Sequence, residues 1–281
     1  MQEIWRGTLR KMRVTPGADD EPASYALADG HWNPAERVGD HPLNPLLGRE
    51  LQLEFTGDIA CTYCGRATKK SFGQGFCYPC FQARAEADRC IVRPELCHYF
   101  DDADPCRDDA FAHSHCFQPH VLYVALTSGL KVGITRRANI PTRWLDQGAT
   151  AAVPLAELPD RRTVGLLEAR LRDRAGLADR THWTRLLKLA EGEGDLAAHA
   201  ALVSGLLEAE DVILLPPSER VVHRFRYPVL AYPQKVKSFN LDRDPVAGGE
   251  LQGIKGQYLV FAGGVINLRK YTGYRVVVRA A

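Results

Sequence analysis

The spacing of apolar side chains changes period several times along the chain, and each change marks a different kind of structure. "LQLEF" at residues 51–55 alternates with period two, as a half-buried strand does. The rest of residues 1–59 is strand and loop material, with "ADGHWNPAERVGDHPLNP" supplying turn residues and no periodic face. Residues 60–119 hold few periodic apolar positions. From residue 120 the pattern returns, and "HVLYVAL" and "LKVGIT" read as short apolar strands around a turn at Ser128 and Gly129. Helical spacing follows. Pro141 suits the first turn of a helix, and Leu167 and Leu171 stack at i, i+4. Trp183, Leu186, Leu187 and Ala190 fit i, i+3, i+4, i+7 with Thr181 as N-cap, and Leu196, Ala200, Val203 and Leu207 resume the pattern after a break at "EGEGD". Beyond 211 the helical period stops, and "DVILLPP", "GQYLVF", "GVINLRKY" and "YRVVVRA" read as strands separated by glycine pairs at 248–249 and 263–264.

These periods predict an α+β protein of four segments: β-rich 1–59, cysteine-rich 60–119, an α/β core at 120–210, and a β-rich stretch at 211–281. The two terminal segments are candidates to complete one sheet or barrel with the middle inserted between them. With 45% apolar and 25% charged residues the composition is that of a soluble globular protein. No apolar run is long enough to span a bilayer, and the amphipathic start "MQEIWRGTLRKMRV" lacks the apolar core of a signal peptide, so a cytoplasmic protein is the default expectation.

The net charge of +2 says nothing about partners, but its distribution does. Glu219 to Ala281 carries eleven Lys/Arg against four Asp/Glu, and Val121 to Thr150 carries four basic residues against one acid. Such runs are often solvated faces and nothing more. Their weight depends on the chemistry around them.

All eight cysteines fall between Cys61 and Cys116, a clustering that points to metal rather than disulfides. Cys61, Cys64, Cys77 and Cys80 form C-x2-C-x12-C-x2-C. A two-residue spacer lets paired thiolates converge on one tetrahedral ion at about 2.3 Å per Zn–S bond. Four thiolates close the coordination shell, so this is read as a structural zinc site. Cys90, Cys97, Cys106 and Cys116 lack a CxxC pair and are expected to hold a second zinc, with His98, His113, His115 or His120 able to replace one ligand. Buried free cysteines are the alternative.

"VLYVALTSGLKVGIT", then "RW", then a helix at "GLLEARL" resembles the GIY-YIG superfamily of nuclease domains. The first tripeptide of that motif falls on Val121-Leu122-Tyr123 and the second on Lys131-Val132-Gly133, while Arg143 and Glu168 match the helix arginine and the later metal-binding glutamate. The resemblance implies that Tyr123 and Lys131 orient or deprotonate water, Arg143 clamps phosphate through its planar fork, and Glu168 holds one Mg2+ or Mn2+. Lys131 stands where a second tyrosine is expected, and Gln147 where many relatives carry histidine. His182 lies near a position often held by asparagine. Further strings, "CGRATKKSF", "PELCHYF", "KVGITR", "PTRWLDQGA" and "LQGIKGQYLVF", resemble a prokaryotic family defined only as a domain of unknown function, and this likeness covers most of the chain.

In the C-terminal segment aromatics interleave with cations, the arrangement with which sheets grip single strands. Lys255, Tyr258, Phe261, Arg269, Lys270 and Tyr271 are the candidates there, and Arg136, Arg137 and Gln147 beside the nuclease-like motif. The expectation is a zinc-containing nucleic-acid-binding protein with a metal-dependent phosphodiesterase activity on an edited site. Its rivals are a non-catalytic RNA or DNA adaptor and a zinc-stabilised protein-interaction module.

Overall fold

In the computed structural model, which describes residues 1–18, 20–175 and 181–281, the chain begins with β1 (Gln2–Thr8), β2 (Arg13–Thr15), β3 (Ser24–Leu27), β4 (His41–Pro42) and β5 (Glu50–Ile59). Short helices α1 (Tyr78–Ala83) and α2 (Asp109–Phe111) flank the cysteine-rich loops. Next come β6 (His120–Leu126), β7 (Leu130–Arg136), α3 (Thr142–Asp146), β8 (Ala151–Leu158), α4 (Arg161–Ala175), α5 (Trp183–Leu186) and α6 (Leu196–Glu208). β9 (His223–Arg224), β10 (Val246–Lys255), β11 (Tyr258–Phe261), β12 (Gly264–Asn267) and β13 (Tyr274–Ala280) complete it. The mixed strand and helix content makes this an α+β protein. No helix among the described residues is long and apolar enough to cross a membrane.

The chain divides into two compact units, 1–82 with 226–281, and 83–225. In the first, an antiparallel six-stranded sheet runs β1-β13-β5-β10-β11-β12, and β2-β3-β4 form a smaller one. The period-two face of β5 explains the pairing. Leu51 and Leu53 are fully buried, and β13 brings Val278 opposite Leu53 with the same alternation. Strands from both ends of the chain therefore share one sheet. The unit boundaries at 82/83 and 225/226 divide the cysteine-rich segment and assign residues 211–225 to the second unit.

In the second unit the antiparallel order is β7-β6-β8-β9. β6 is central and buried on both faces. Leu122, Val124, Val132 and Val153 pack against Val164, Leu167 and Leu171 of α4 and Val203 and Leu207 of α6. Each such side chain contributes about 1.5–3 kcal/mol on burial. Tyr123, Ala125 and Ala152 project from the opposite face, where Trp144 of α3 and Ala149 cover them. The pleat thus sorts β7 as well: Lys131 and Gly133 share the Tyr123 face, and Val132 and Arg136 take the other.

Three local expectations are corrected. "DVILLPP" is not a strand: Asp211 has φ 58°, Ile213 is exposed, and Leu214 makes a single bridge to Ala156. The left-handed Asp211 turns the chain out of α6, and Pro216 and Pro217 cannot supply ladder N–H groups. α5 is one turn long and follows His182 rather than extending to Ala190. Thr181 does not cap it, because its hydroxyl bonds Thr127 Oγ1 at 3.2 Å while Ser128 Oγ accepts from His182 N at 3.0 Å. "GVINLRKY" is strand only to Asn267, whose side chain then caps a 3-10 turn over Leu268–Tyr271. At "EGEGD" the break holds, with Asp195 accepting from Ala198 N at 3.0 Å to start α6.

Candidate functional site

The first cysteine set is assembled by turns. Cys61 and Cys77 are buried, Cys64 is exposed and Cys80 is half-buried. Gly65 takes φ +73°, which lets its N–H reach Cys61 O at 2.9 Å and fold the CxxC back on itself. The four sulfur atoms lie within 4.8 Å of one another, Cys64 and Cys77 at 3.8 Å. Burial raises the Cys61 thiol, but N–H groups of Cys64, Cys77 and Tyr63 outweigh it and bring the thiol down to about 7. Cys80 is pushed up by burial and by the thiols of Cys64 and Cys77. Four thiols so close cannot all ionise unless a cation neutralises them. By donor type, number and spacing the quartet is suited to hold a metal ion.

The second set is assembled from afar. Cys90, Cys97, Cys106 and Cys116 line one cavity of about 20 Å³ together with His98, room for one water or one ion. The tightest donor group there is Asp88, Cys90 and His98, whose ligand atoms lie within 4.8 Å of one another. His98 Nδ1 sits 2.5 Å from Asp104 O, which leaves Nε2 facing the Asp88 carboxylate at 3.3 Å. Burial, then Asp88, pushes the Cys90 thiol up to about 12. Of the other histidines offered as ligands, His113 is exposed, and burial brings both His115 and His120 down to about 4.

The nuclease-like residues form a third cluster. Tyr123 is fully buried, edge-on to Trp144 at 5.7 Å between ring centroids. Its ring lies over Gly133, where a Cβ would stand 2.7 Å from Tyr123 Cζ and Oη. Any side chain at 133 would expel the tyrosine. Gln147 bridges the next two residues. With its oxygen toward Arg143 it accepts from Nε at 2.9 Å and Nη2 at 3.0 Å, and its nitrogen donates to Tyr123 Oη at 3.2 Å. This orientation sets a donor against an acceptor in each of these three contacts. Burial raises the Tyr123 hydroxyl, the Arg143 charge opposes that rise, and Glu168 reinforces it.

Glu168 is half-buried on α4. Burial pushes its carboxyl up to about 7 against the pull of Lys131, Arg172 and Arg161. Arg161, Gly165, Glu168 and Arg172 follow at i, i+4, i+7 and i+11, one stripe of the helix. Gly165 lets Pro94 approach so closely that a Cβ would meet Pro94 Cβ at 2.3 Å, and Arg161 Nη2 donates to Ile91 O at 2.5 Å. The loop carrying Cys90 and Cys97 therefore packs on this stripe. Arg161 and Arg172 were not among the residues expected from sequence. The signal for Arg161 was present, since a cation in the first turn of a helix opposes the macrodipole and needs another reason to be there, whereas Arg172 lies in the last turn, where a cation is favoured.

The residues 48–276 match the family described as "Protein of unknown function (DUF2797)". The chain belongs to the DUF2797 family. No curated protein and no solved structure matches it.

The remaining expected side chains of this DUF2797 protein are dispersed. Arg137 is held by Glu157 at 2.7 Å and by Glu219. Arg136, on the face opposite Lys131, is half-buried and feels the Cys116 thiol. His182 is exposed. In the C-terminal sheet Lys255 is 1% exposed, with its ammonium over Tyr227 at 5.4 Å and Tyr232 at 5.5 Å. It is withdrawn from any surface ligand, because the sheet buries the face on which it lies. Phe261 and Tyr271 are likewise buried, and Tyr258 is half-buried, so the expected aromatic platform is core. Arg269 donates to Gln74 Oε1 at 3.1 Å, and Lys270 is exposed beside the Tyr271 ring.

Proposed function

We propose that this DUF2797 protein binds nucleic acid and holds a backbone phosphate at the Tyr123–Gln147–Arg143 cluster, on a scaffold resembling the GIY-YIG nuclease domains, with zinc in its cysteine sites. One observation carries the reading: Gln147 fixes the Arg143 fork beside the buried Tyr123, while Lys131 and Arg161 act on the neighbouring Glu168. A fixed fork suits phosphate because little freedom is lost on binding. The order β6, β7, α3, β8, α4 also carries Tyr123, Lys131, Arg143 and Glu168 in the sequence that the resemblance implies.

A resident Mg2+ or Mn2+ fits these side chains poorly. Lys131, Arg172 and Arg161 act on Glu168 and Glu95 acts more weakly, so a divalent cation here would meet one acidic ligand of the cluster among several cations. Divalent hard cations need ionised oxygen ligands. We therefore read the site as one that binds phosphodiesters without cleaving them.

Binding should weaken steeply with salt, because Lys and Arg release counterions from the phosphates. The check is fluorescence anisotropy with single- and double-stranded DNA and RNA over a salt series, comparing the wild type with Arg143→Gln, whose salt slope should fall by about one. Absence of salt-dependent binding to every form leaves the zinc-stabilised interaction module. Cleavage that requires Mg2+ or Mn2+ and disappears in Glu168→Ala would restore the enzyme reading.

Zinc is the reading for the first quartet, because four thiolates match its tetrahedral, closed structural sites. For the Cys90–Cys116 cavity we read a second zinc ion held by cysteine thiolates, with His98 and Asp88 within reach. Metal analysis of protein purified without added zinc should find two ions per chain, and one in Cys106→Ser. A folded protein without metal overturns both assignments.

A further inference from the structure

The 1–82/226–281 unit contains an open cavity of about 220 Å³ that the sequence did not announce. Arg10, Lys11, Arg37 and Arg269 line it, with Gly30 and Gln74, and none of the described lining residues is acidic. These residues come from loops more than 250 positions apart in the chain.

The two carboxylates that act on Arg10, Asp29 and Asp40, are committed elsewhere. Asp29 is buried and accepts from the backbone N–H groups of Thr8 at 2.9 Å, His31 at 3.0 Å and Val38 at 3.0 Å. Asp40 is paired with Arg13 at 2.7 Å. Arg37 donates its Nε to His31 O at 2.9 Å, which fixes the plane of the guanidinium and leaves its terminal nitrogens available. The half-buried Arg10 donates to no partner among the described residues. Burial, then the charges of Arg37 and Arg13, makes its protonated form harder to hold. Like charges gathered in a concave wall repel one another, and an anion entering the cavity relieves that repulsion.

The size and lining narrow the anion. At roughly 30 Å³ per water the cavity holds about seven waters, more than a monatomic ion needs. Its wall offers no aromatic or large apolar surface on which a base could stack. Arginine forks match phosphate oxygens in pairs. We infer that this cleft binds a phosphorylated ligand through a terminal phosphate or diphosphate group, with Arg10 and Arg37 as the principal contacts. The cleft lies in the other compact unit from Tyr123, and the inference does not depend on the function proposed for that cluster.

The test is calorimetric titration of the intact chain with pyrophosphate, and with one short oligonucleotide bearing either a 5′-phosphate or a 5′-hydroxyl. Pyrophosphate should bind, and Arg10→Gln and Arg37→Gln should each weaken it about tenfold, the effect of one lost charge-assisted hydrogen bond. Arg37 is exposed, so its variant tests the site without threatening the fold. Arg170→Gln, exposed in the other unit and paired with Glu210 at 3.1 Å, should leave pyrophosphate binding unchanged. A preference for the 5′-phosphorylated oligonucleotide that both cavity variants abolish identifies a nucleic-acid end as the source of the phosphate. Equal binding of the two oligonucleotides, with pyrophosphate binding intact, identifies a free diphosphate compound. Failure to bind pyrophosphate together with no 5′-phosphate preference overturns the inference, as does pyrophosphate binding that neither cavity variant weakens.

Discussion

The Cys61–Cys80 quartet and the Tyr123 cluster are both polar constellations, but they are built in opposite ways. The quartet closes within one short segment, where two CxxC turns and Gly65 bring four sulfur atoms within 4.8 Å of one another. The Tyr123 cluster draws on β6, β7, α3 and α4, and each contributor is held by packing on something else: Tyr123 on Gly133, Arg143 through Gln147, Arg161 through Ile91. A site closed by local turns can be dismantled by losing one ligand. A site closed by tertiary packing fails through steric and electrostatic faults at its supports, by smaller amounts.

The largest expected effect is at the quartet. Structural zinc contributes on the order of 10 kcal/mol in small sites, so Cys77→Ala should lose the metal and the order of the 61–80 segment. Metal analysis with proteolysis of that segment reads this directly, and retained metal with unchanged protection would break the contrast. Next is Gly133→Ala, whose new methyl collides with the Tyr123 ring and should cost about 3 kcal/mol in chemical denaturation. Most of that loss should vanish in a Tyr123→Ala background, and an additive double mutant would show that the support has been misassigned.

The third effect is pH-dependent. Burial raises the Glu168 carboxyl from 4.5 to about 7, so the folded state prefers its neutral form. The stability linked to that proton is fully present below about 4.5 and is lost as pH rises through about 7. Glu168→Gln should therefore leave stability near pH 4 unchanged and raise it by about 2 kcal/mol at pH 8. Denaturation midpoints at the two pH values test it, and a variant destabilised at pH 8 would mean that the attraction of Lys131, Arg172 and Arg161 outweighs burial. Smallest of all should be Cys106→Ala in the second cysteine set. Cys106→Ala should empty its cavity of metal, but Pro94 and Ile91 keep the Cys90 loop packed on α4, so the denaturation midpoint should shift by no more than about half as much as in Cys77→Ala.

The first quartet was legible because metal spacing is a local property: two residues between thiols fix their convergence whatever surrounds them. The order Tyr123, Gly133, Arg143, Glu168 was legible for a related reason, since strand and helix periods place residues on faces. Arg161 and Arg172 could have been read from the i, i+7, i+11 stripe through Glu168, although nothing local says that the Cys90 loop covers it. Lys255, Phe261 and Tyr271 were misplaced because alternating aromatics and cations look the same whether the aromatic side of a sheet is solvated or covered. The "DVILLPP" stretch misled because an apolar run reads as a strand until its pairing proves to stop at one bridge, Leu214 to Ala156.

What the sequence alone determined here was everything set by short-range geometry: the α+β order of elements, the metal-binding quartet, and the face on which Tyr123, Lys131 and Gly133 lie together. Only the tertiary structure decided which faces are covered and which distant charges meet. It drew strands from both chain ends into one sheet, brought four widely spaced cysteines to one cavity, and gathered Arg10, Arg37 and Arg269 around another. Burial and electrostatics are properties of neighbours in space, and the chain fixes those neighbours only when the whole core is packed.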